Sequence, residues 1–217
     1  MQLQRIFKLA VIPAIAASFG IVNSLLLLKS DTQVRAQPTQ EATQEAAPQT
    51  QTEPRQPDAP YVPTPQEVVD QMLKLAKVQK GDVLYDLGSG DGRIPITAAR
   101  EYGARGVGID IDPKLVEAAT ENAKQAGVSD LVEFRQQDLF KASFSDATVL
   151  TLYLFPEMNA KLRPQMLKQL KPGTRIVAHD FAIEGWKPDR VVEVKGPNRT
   201  HTLYYWVIPE KSVTSDQ

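Results

Sequence analysis

The chain has no cysteine. That excludes disulfides, zinc–thiolate sites and a thiol nucleophile. Histidine is scarce as well. His179 and His201 are the only two, which argues against a histidine metal cluster, and no metal is expected. Nor is there an excess of either charge: 25 Lys and Arg face 26 Asp and Glu, a formal net charge of −1. Without a basic excess, nothing holds a nucleic-acid backbone by counterion release, so no nucleic-acid partner is expected. Between Gln37 and Pro60 there is no Ile, Leu, Val, Met, Phe, Tyr or Trp. A stretch made of Gln, Thr, Pro, Glu and Ala cannot bury enough apolar surface to offset its ordering entropy. It reads as a disordered linker over 37–60, spanning about 27 Å as a coil.

The linker separates two unlike parts. Ahead of it, Arg5 and Lys8 precede an uncharged stretch from Leu9 to Leu28. Its length approaches the roughly 20 residues that cross a bilayer as a helix. It exceeds the roughly 7–15 apolar residues of a signal-peptide core. Pro13 and Asn23 weaken it as an anchor, and Val34-Arg35-Ala36 is a tolerable cleavage site. Residues 1–36 are therefore expected to be a membrane anchor or a signal peptide, both readings staying open. The protein is expected to be membrane-associated or exported. The flanking charges, Arg5 and Lys8 against Lys29 and Arg35, do not set an orientation.

Behind the linker, residues 61–209 alternate strand and helix patterns, and 210–217 form a tail. Thr64-Pro65-Gln66-Glu67 has the form of a capping box with proline at the first helical position. The helix that follows points Val68, Val69, Met72, Leu73 and Leu75 to a core. Strands are predicted at Val83–Leu87, Gly106–Asp110, Leu131–Arg135, Thr148–Tyr153 and Arg175–His179. Helices are predicted from Arg93 to Tyr102, from Asp112-Pro113 to Gly127, and over Pro156–Leu170. Arg190–Val194 and Thr202–Ile208 form a terminal hairpin. The expected fold is α/β: a doubly wound, mostly parallel seven-stranded sheet closed by an antiparallel pair at its end.

The informative stretch is Asp86-Leu87-Gly88-Ser89-Gly90-Asp91-Gly92-Arg93. It joins a strand to a helix at the carboxyl edge, where open α/β sheets bind ligands. Its spacing is G-x-G-x-G, with Arg93 where a dinucleotide fingerprint has its last glycine. Asp86, Asp91, Asp110 and Asp138 crowd the same edge and would repel a pyrophosphate. A ligand with an ammonium and a sulfonium uses such carboxylates, and its own carboxylate suits the amides of a helix start. Asp110 lies about 20 residues past the glycines, where a carboxylate takes both ribose hydroxyls.

Three runs in order carry a resemblance: Tyr85 to Arg93, Gly106-Val107-Gly108-Ile109-Asp110, and Gln137-Asp138-Leu139-Phe140. Together they resemble the cofactor motifs of class I S-adenosylmethionine-dependent methyltransferases. With Phe181 and Gly185-Trp186-Lys187-Pro188, the chain is similar to the small protein-lysine methyltransferases that act on the ADP/ATP carrier and the ATP synthase c-ring protein. The resemblance implies S-adenosyl-L-methionine as cofactor. Asp86 and Gly88 would meet its methionine end, Ser89, Gly90 and Gly92 would complete the loop, Asp110 with Ile111 would hold the ribose, and Asp138 with Leu139 the adenine edge. Tyr61 and Thr64 would close over it.

On the acceptor side, Thr151-Leu152-Tyr153-Leu154-Phe155-Pro156 lacks the Asn/Asp-Pro-Pro-Tyr run of enzymes that methylate nucleic-acid bases. Tyr153 and Asp180 are the candidate catalytic residues, Tyr153 shaping a channel and Asp180 receiving a proton or hydrogen bond. His179 has the same chemistry but could equally point into the core, and Trp186 and Trp206 are read as packing. A protein lysine is the expected acceptor, with membrane proteins among the candidates. A small-molecule methyltransferase, a cofactor-binding protein without turnover and a nicotinamide oxidoreductase are the alternatives. The oligomeric state is left open.

Overall fold

The computed structural model describes residues 60–210. The predicted anchor or signal peptide at 1–36, the linker up to Ala59 and the tail beyond Glu210 lie outside the described residues. Among those described, no helix is long and apolar enough to cross a membrane.

Four helices and seven strands follow one another: α1 (Gln66–Leu75), β1 (Val83–Leu87), α2 (Arg93–Tyr102), β2 (Arg105–Asp110), α3 (Pro113–Gln125), β3 (Val132–Gln136), β4 (Val149–Leu152), α4 (Pro156–Gln169), β5 (Arg175–His179), β6 (Arg190–Lys195) and β7 (Thr200–Val207). They make one seven-stranded sheet in the order β3-β2-β1-β4-β5-β7-β6. The first five strands pair in parallel. β7 runs antiparallel to both β5 and β6. The order reverses between β1 and β4, so the loops after those strands diverge and leave a crevice.

Side chains alternate between the two faces, as the two-residue period of a strand requires. Leu84, Val149, Val177 and Leu203 pack on one face against Val68, Val69, Met72 and Leu73 of α1 and Ile94 of α2. Leu87, Ile109, Leu150, Leu152, Ile176 and Trp206 pack on the other against Leu162 and Met166 of α4. The central strands are buried on both sides, which explains their near-continuous apolar runs. Trp206 is wholly buried, and its indole nitrogen donates to the Trp186 carbonyl at 3.0 Å, so both tryptophans are structural.

The antiparallel pair closes the sheet as expected, and two details need correction. The strand that runs antiparallel to the rest is not the edge strand. β7 inserts between β5 and β6, and the edge strand β6 is parallel to β5. The segment from Asp180 to Asp189 carries the chain past the vacant place, and the return leg fills it. The capping box is also absent. Pro65 occupies the cap position of α1 without a side-chain hydrogen bond. The Thr64 hydroxyl is engaged elsewhere, with His179 Nδ1 at 3.2 Å. The cap predicted for α3 does form, Asp112 accepting from Lys114 N at 2.9 Å.

Candidate active site

A cavity of about 520 Å³ opens at the carboxyl ends of β1, β2 and β4. That is ample for a nucleoside-sized ligand. Tyr61, Thr64, Asp86, Gly88, Ser89, Asp110, Ile111, Asp138, Leu139 and Tyr153 all line it. Gly90, Gly92 and Asp180 stand outside its wall.

The glycine loop is tied down by its neighbour strand. The amides of Gly88 and Ser89 both donate to the Ile109 carbonyl, at 2.8 and 3.0 Å. Gly90 and Gly92 both have positive φ, at 54° and 79°. A Cβ on Gly90 would overlap the Tyr61 ring, and one on Gly92 would overlap Phe134. These two positions thus support the wall from behind: one seats Tyr61, the other lets α2 start close to the sheet.

The acids divide into distinct environments. Asp86 is buried and accepts from Thr151 Oγ1 at 2.7 Å. Burial pushes its carboxyl up to about 7, the Thr151 bond opposes this, and the charges of Asp110 and Asp91 add to it. Asp110 is oriented by two amides, Gly90 N on Oδ2 at 2.9 Å and Asp112 N on Oδ1 at 3.0 Å. Asp138 accepts from Phe140 N at 3.0 Å and begins a short 3-10 turn over Leu139–Lys141. Asp91 is committed to Arg93, whose Nη2 lies 2.6 Å from Oδ2. Burial would raise its carboxyl, but the Arg93 contacts outweigh that and hold it low. Asp91 therefore serves the loop itself, and the acidic wall offered to a cation is smaller than the sequence suggests.

Residues 60–64 cross the cavity as a strap. Arg93 fixes it from the loop side, its Nη1 donating to the Thr64 carbonyl at 2.8 Å. Tyr61 lies against Gly90 and within the field of Asp91, and burial, then Asp91, raises its phenol.

Just after β4, the Tyr153 ring lies 3.9 Å from that of His179, tilted by 34°, and stacks on Phe181 at 6.2 Å. Burial, then Asp180, raises the Tyr153 phenol, so it stays protonated near neutrality. Asp180 sits in the left-handed region at φ 60°. It accepts from Thr202 N at 3.0 Å and is paired with Arg199. Burial would raise its carboxyl, yet those contacts hold it at about 2. Asp180 is thus a fixed anion one layer behind Tyr153, not a group poised to take a proton. Burial lowers His179 to about 4, so it is neutral at physiological pH.

Nothing local in the sequence signals that the two histidines meet. They do: His179 Nε2 and His201 Nδ1 are 2.8 Å apart, with Asp180 Oδ2 at 3.2 and 3.5 Å. They belong to different strands, and only the antiparallel register of β5 and β7 brings them together. Arg93, Leu115 and Met158 also line the cavity unforeseen. By sequence Arg93 reads only as the residue that breaks a dinucleotide fingerprint.

The pocket fits S-adenosylmethionine. Its wall combines buried or fixed carboxylates for the cationic groups with apolar Ile111 and Leu139 for a flat ring. Ser89 Oγ is buried in that wall with no hydrogen-bond partner among the described residues, an arrangement a polar ligand would satisfy. A doubly wound sheet with an antiparallel β7, a G-x-G-x-G loop and an acid at the end of β2 define a class I S-adenosylmethionine-dependent methyltransferase. Comparison with known proteins agrees. The ANTKMT methyltransferase domain family matches residues 86–190. A protein-lysine N-methyltransferase of Saccharolobus islandicus is 44% identical over 155 residues, 71% of this chain and 96% of that protein. The adenine nucleotide translocase lysine N-methyltransferase of Mus musculus is 35% identical over 61% of this chain and 58% of its own length. Among solved structures, an RNA methyltransferase of Salinibacter ruber bound to S-adenosyl-L-homocysteine is 63% identical. It covers 69% of this chain and 95% of its own, with a TM-score of 0.66. The chain belongs to this family of methyltransferases: it is an enzyme, and its cofactor is S-adenosylmethionine.

Proposed function

We propose that this enzyme methylates the ε-amine of a protein lysine, and that the protein lies in or at a membrane. The observation that carries the lysine reading is the acceptor end of the cavity. Tyr153, Leu154 and Met158 make it apolar and aromatic, suited to an alkyl stem. The bound cofactor supplies a methyl group on a sulfonium, open to in-line displacement. The protein's own task is to align the nucleophile, which is worth most of the barrier reduction in such a reaction. A lysine must also shed its proton, at about 4–5 kcal/mol at pH 7. The partly desolvated wall around Tyr153 favours the neutral amine, and the anionic Asp180 behind it, already neutralised by Arg199, does little to oppose this. In this reading Asp86, Gly88, Ser89, Asp110, Ile111, Asp138 and Leu139 hold the cofactor, with Tyr61 and Thr64 above it.

The relative named as a protein-lysine N-methyltransferase spans nearly all of the folded part, which supports the lysine reading. The membrane reading is supported by Leu9–Leu28 and the linker behind it. It is supported too by the relative named for the adenine nucleotide translocase. A tether of about 27 Å would confine the domain to the bilayer surface and raise the effective concentration of acceptors held there.

A second reading is methylation of RNA, favoured by the name of the Salinibacter ruber protein. The absence of an Asn-Pro-Pro-Tyr run after β4 and the net charge of −1 weigh against it. One experiment separates the two. Mass spectrometry of proteins and RNA from cells with and without the gene should show methyl-lysine lost from membrane proteins. A methylated nucleoside lost with every methyl-lysine retained would reject the lysine reading. Loss confined to soluble proteins would reject the membrane reading alone.

A further inference from the structure

We propose that His179 is a positioning residue for methyl transfer: through Nδ1 it latches the Tyr61–Thr64 strap over the cofactor cavity, and through its ring face it sets Tyr153 on the acceptor side. The inference rests on the enzyme's class and not on the identity of its acceptor.

The strap has fixings on two sides. On the loop side are Tyr61 against Gly90 and the Thr64 carbonyl on Arg93. On the sheet side the Thr64 hydroxyl meets His179 Nδ1 at 3.2 Å, between groups only 4% and 0% exposed. Thr64 lines the cavity, so whatever holds it holds the wall that a bound cofactor touches. Without the His179 contact the strap keeps only its fixings on the glycine loop and its join to α1.

The imidazole is itself held in one state. A threonine hydroxyl that does not cap α1 can donate to Nδ1. His179 then carries its proton on Nε2 and donates to His201 Nδ1, 2.8 Å away. Asp180 Oδ2, at 3.2 Å, reinforces the same tautomer. The order Thr64, His179, His201 uses every ring nitrogen of His179 once, with no proton to spare. A neutral ring suits its burial.

The same ring lies 3.9 Å from the Tyr153 ring, tilted by 34°. Tyr153 lines the cavity, at the end where the proposed function places the acceptor. A displacement of His179 therefore moves the strap and the acceptor wall together. Packing alone would be met by a phenyl ring or leucine in this place. Two bonded nitrogens in a dry interior are the feature that packing does not require.

A metal ion could compete for His179, His201 and Asp180, whose ligand atoms lie within 4.8 Å of one another. Arg199 already occupies the carboxylate, and the two rings bond each other directly. Hydrogen bonding accounts for the cluster.

The test uses the full chain with Thr64→Val, Thr64→Ser, His179→Phe and the Thr64→Val/His179→Phe pair. Binding of S-adenosylmethionine is measured by calorimetry, and methyl transfer with labelled cofactor into an extract from cells lacking the gene. Thr64→Val should weaken cofactor binding about fivefold to tenfold, as loss of one hydrogen bond does. Thr64→Ser should restore it to within about twofold. The pair should bind no worse than the weaker single variant, because both remove the same contact. Labelling at saturating cofactor should fall with His179→Phe and stay near normal with Thr64→Val. Additive losses would overturn the latch. So would Thr64→Ser behaving like Thr64→Val, unchanged affinity throughout, or a stoichiometric metal in the purified protein that His201→Gln removes. Should His179→Phe fail to fold, the near-isosteric Thr64→Val against Thr64→Ser comparison still decides the latch.

Discussion

Asp86 should make cofactor binding release a proton below pH 7. Burial pushes its enclosed carboxyl up to about 7 in the cofactor-free protein, against 3.8 for an ordinary aspartate. A carboxyl whose folded value is raised leaves stability intact below its unfolded value. Stability is then lost as pH climbs to the folded value, and the loss is constant above it. About three units correspond to about 4 kcal/mol. A ligand bringing an ammonium and a sulfonium beside Asp86 favours the ionised form and reverses the shift. If the bound state is fully ionised, affinity should rise about 15-fold between pH 5.5 and 7. Nearly one proton per ligand should be released at pH 6. The window stays below the titration of the ligand's own amine, near 7.7–8.0. Calorimetry at pH 6 in two buffers of different ionisation enthalpy counts that proton directly. Asp86→Asn keeps the bond to Thr151 and removes the titration. It should stabilise the cofactor-free protein at pH 8 by up to about 4 kcal/mol, weaken binding, and abolish both the proton release and the pH dependence. Equal affinity at pH 5.5 and 7 with buffer-independent heat would refute the reasoning.

Three further outcomes are expected. Asp110→Ala should weaken cofactor binding by about 1.5–3 kcal/mol, the usual loss of a charge-assisted hydrogen bond; unchanged affinity in a calorimetric titration removes it from the ribose. Gly90→Val should abolish binding, since the added side chain meets Tyr61 at a residue with φ 54°; its melting curve distinguishes loss of the strap from loss of the fold. A chain beginning at Pro60 should remain soluble and bind the cofactor, and an aggregated product or one giving no binding heat at millimolar ligand would contradict the domain boundary.

Much of the fold was legible because parallel strands buried on two faces announce themselves as short apolar runs between amphipathic helices. Gly103, Gly127 and the Asp112-Pro113 cap marked their helix ends within two residues. The glycine loop and Asp110 were legible because close backbone approach and a strand-end acid leave a local signature. What escaped depends on contacts distant in sequence. Thr64 reads as a helix cap when only its neighbours are considered, and its partner lies 115 residues away. Asp180 reads as a base until Arg199 is brought to it across the hairpin. Arg93 reads as a missing glycine, whereas its guanidinium spans from Asp91 to the strap.

The insertion of β7 between β5 and β6 has a bearing on how the molecule is made. Among the described residues, β6 has β7 as its sole strand neighbour, and β5 has no partner on that side until β7 arrives. Synthesis delivers β7 after both. While the ribosome is still at work, one edge of β5 and all of β6 present open hydrogen-bonding groups, with Ile176 and Val177 beside them. Such edges recruit other chains. The nascent protein is therefore most exposed to mispairing after β6 is made and before β7 is, and β7 closes this side of the sheet in one event. That same event seats Trp206 in the core and delivers His201 to His179, so closure of the sheet and assembly of the histidine pair come together.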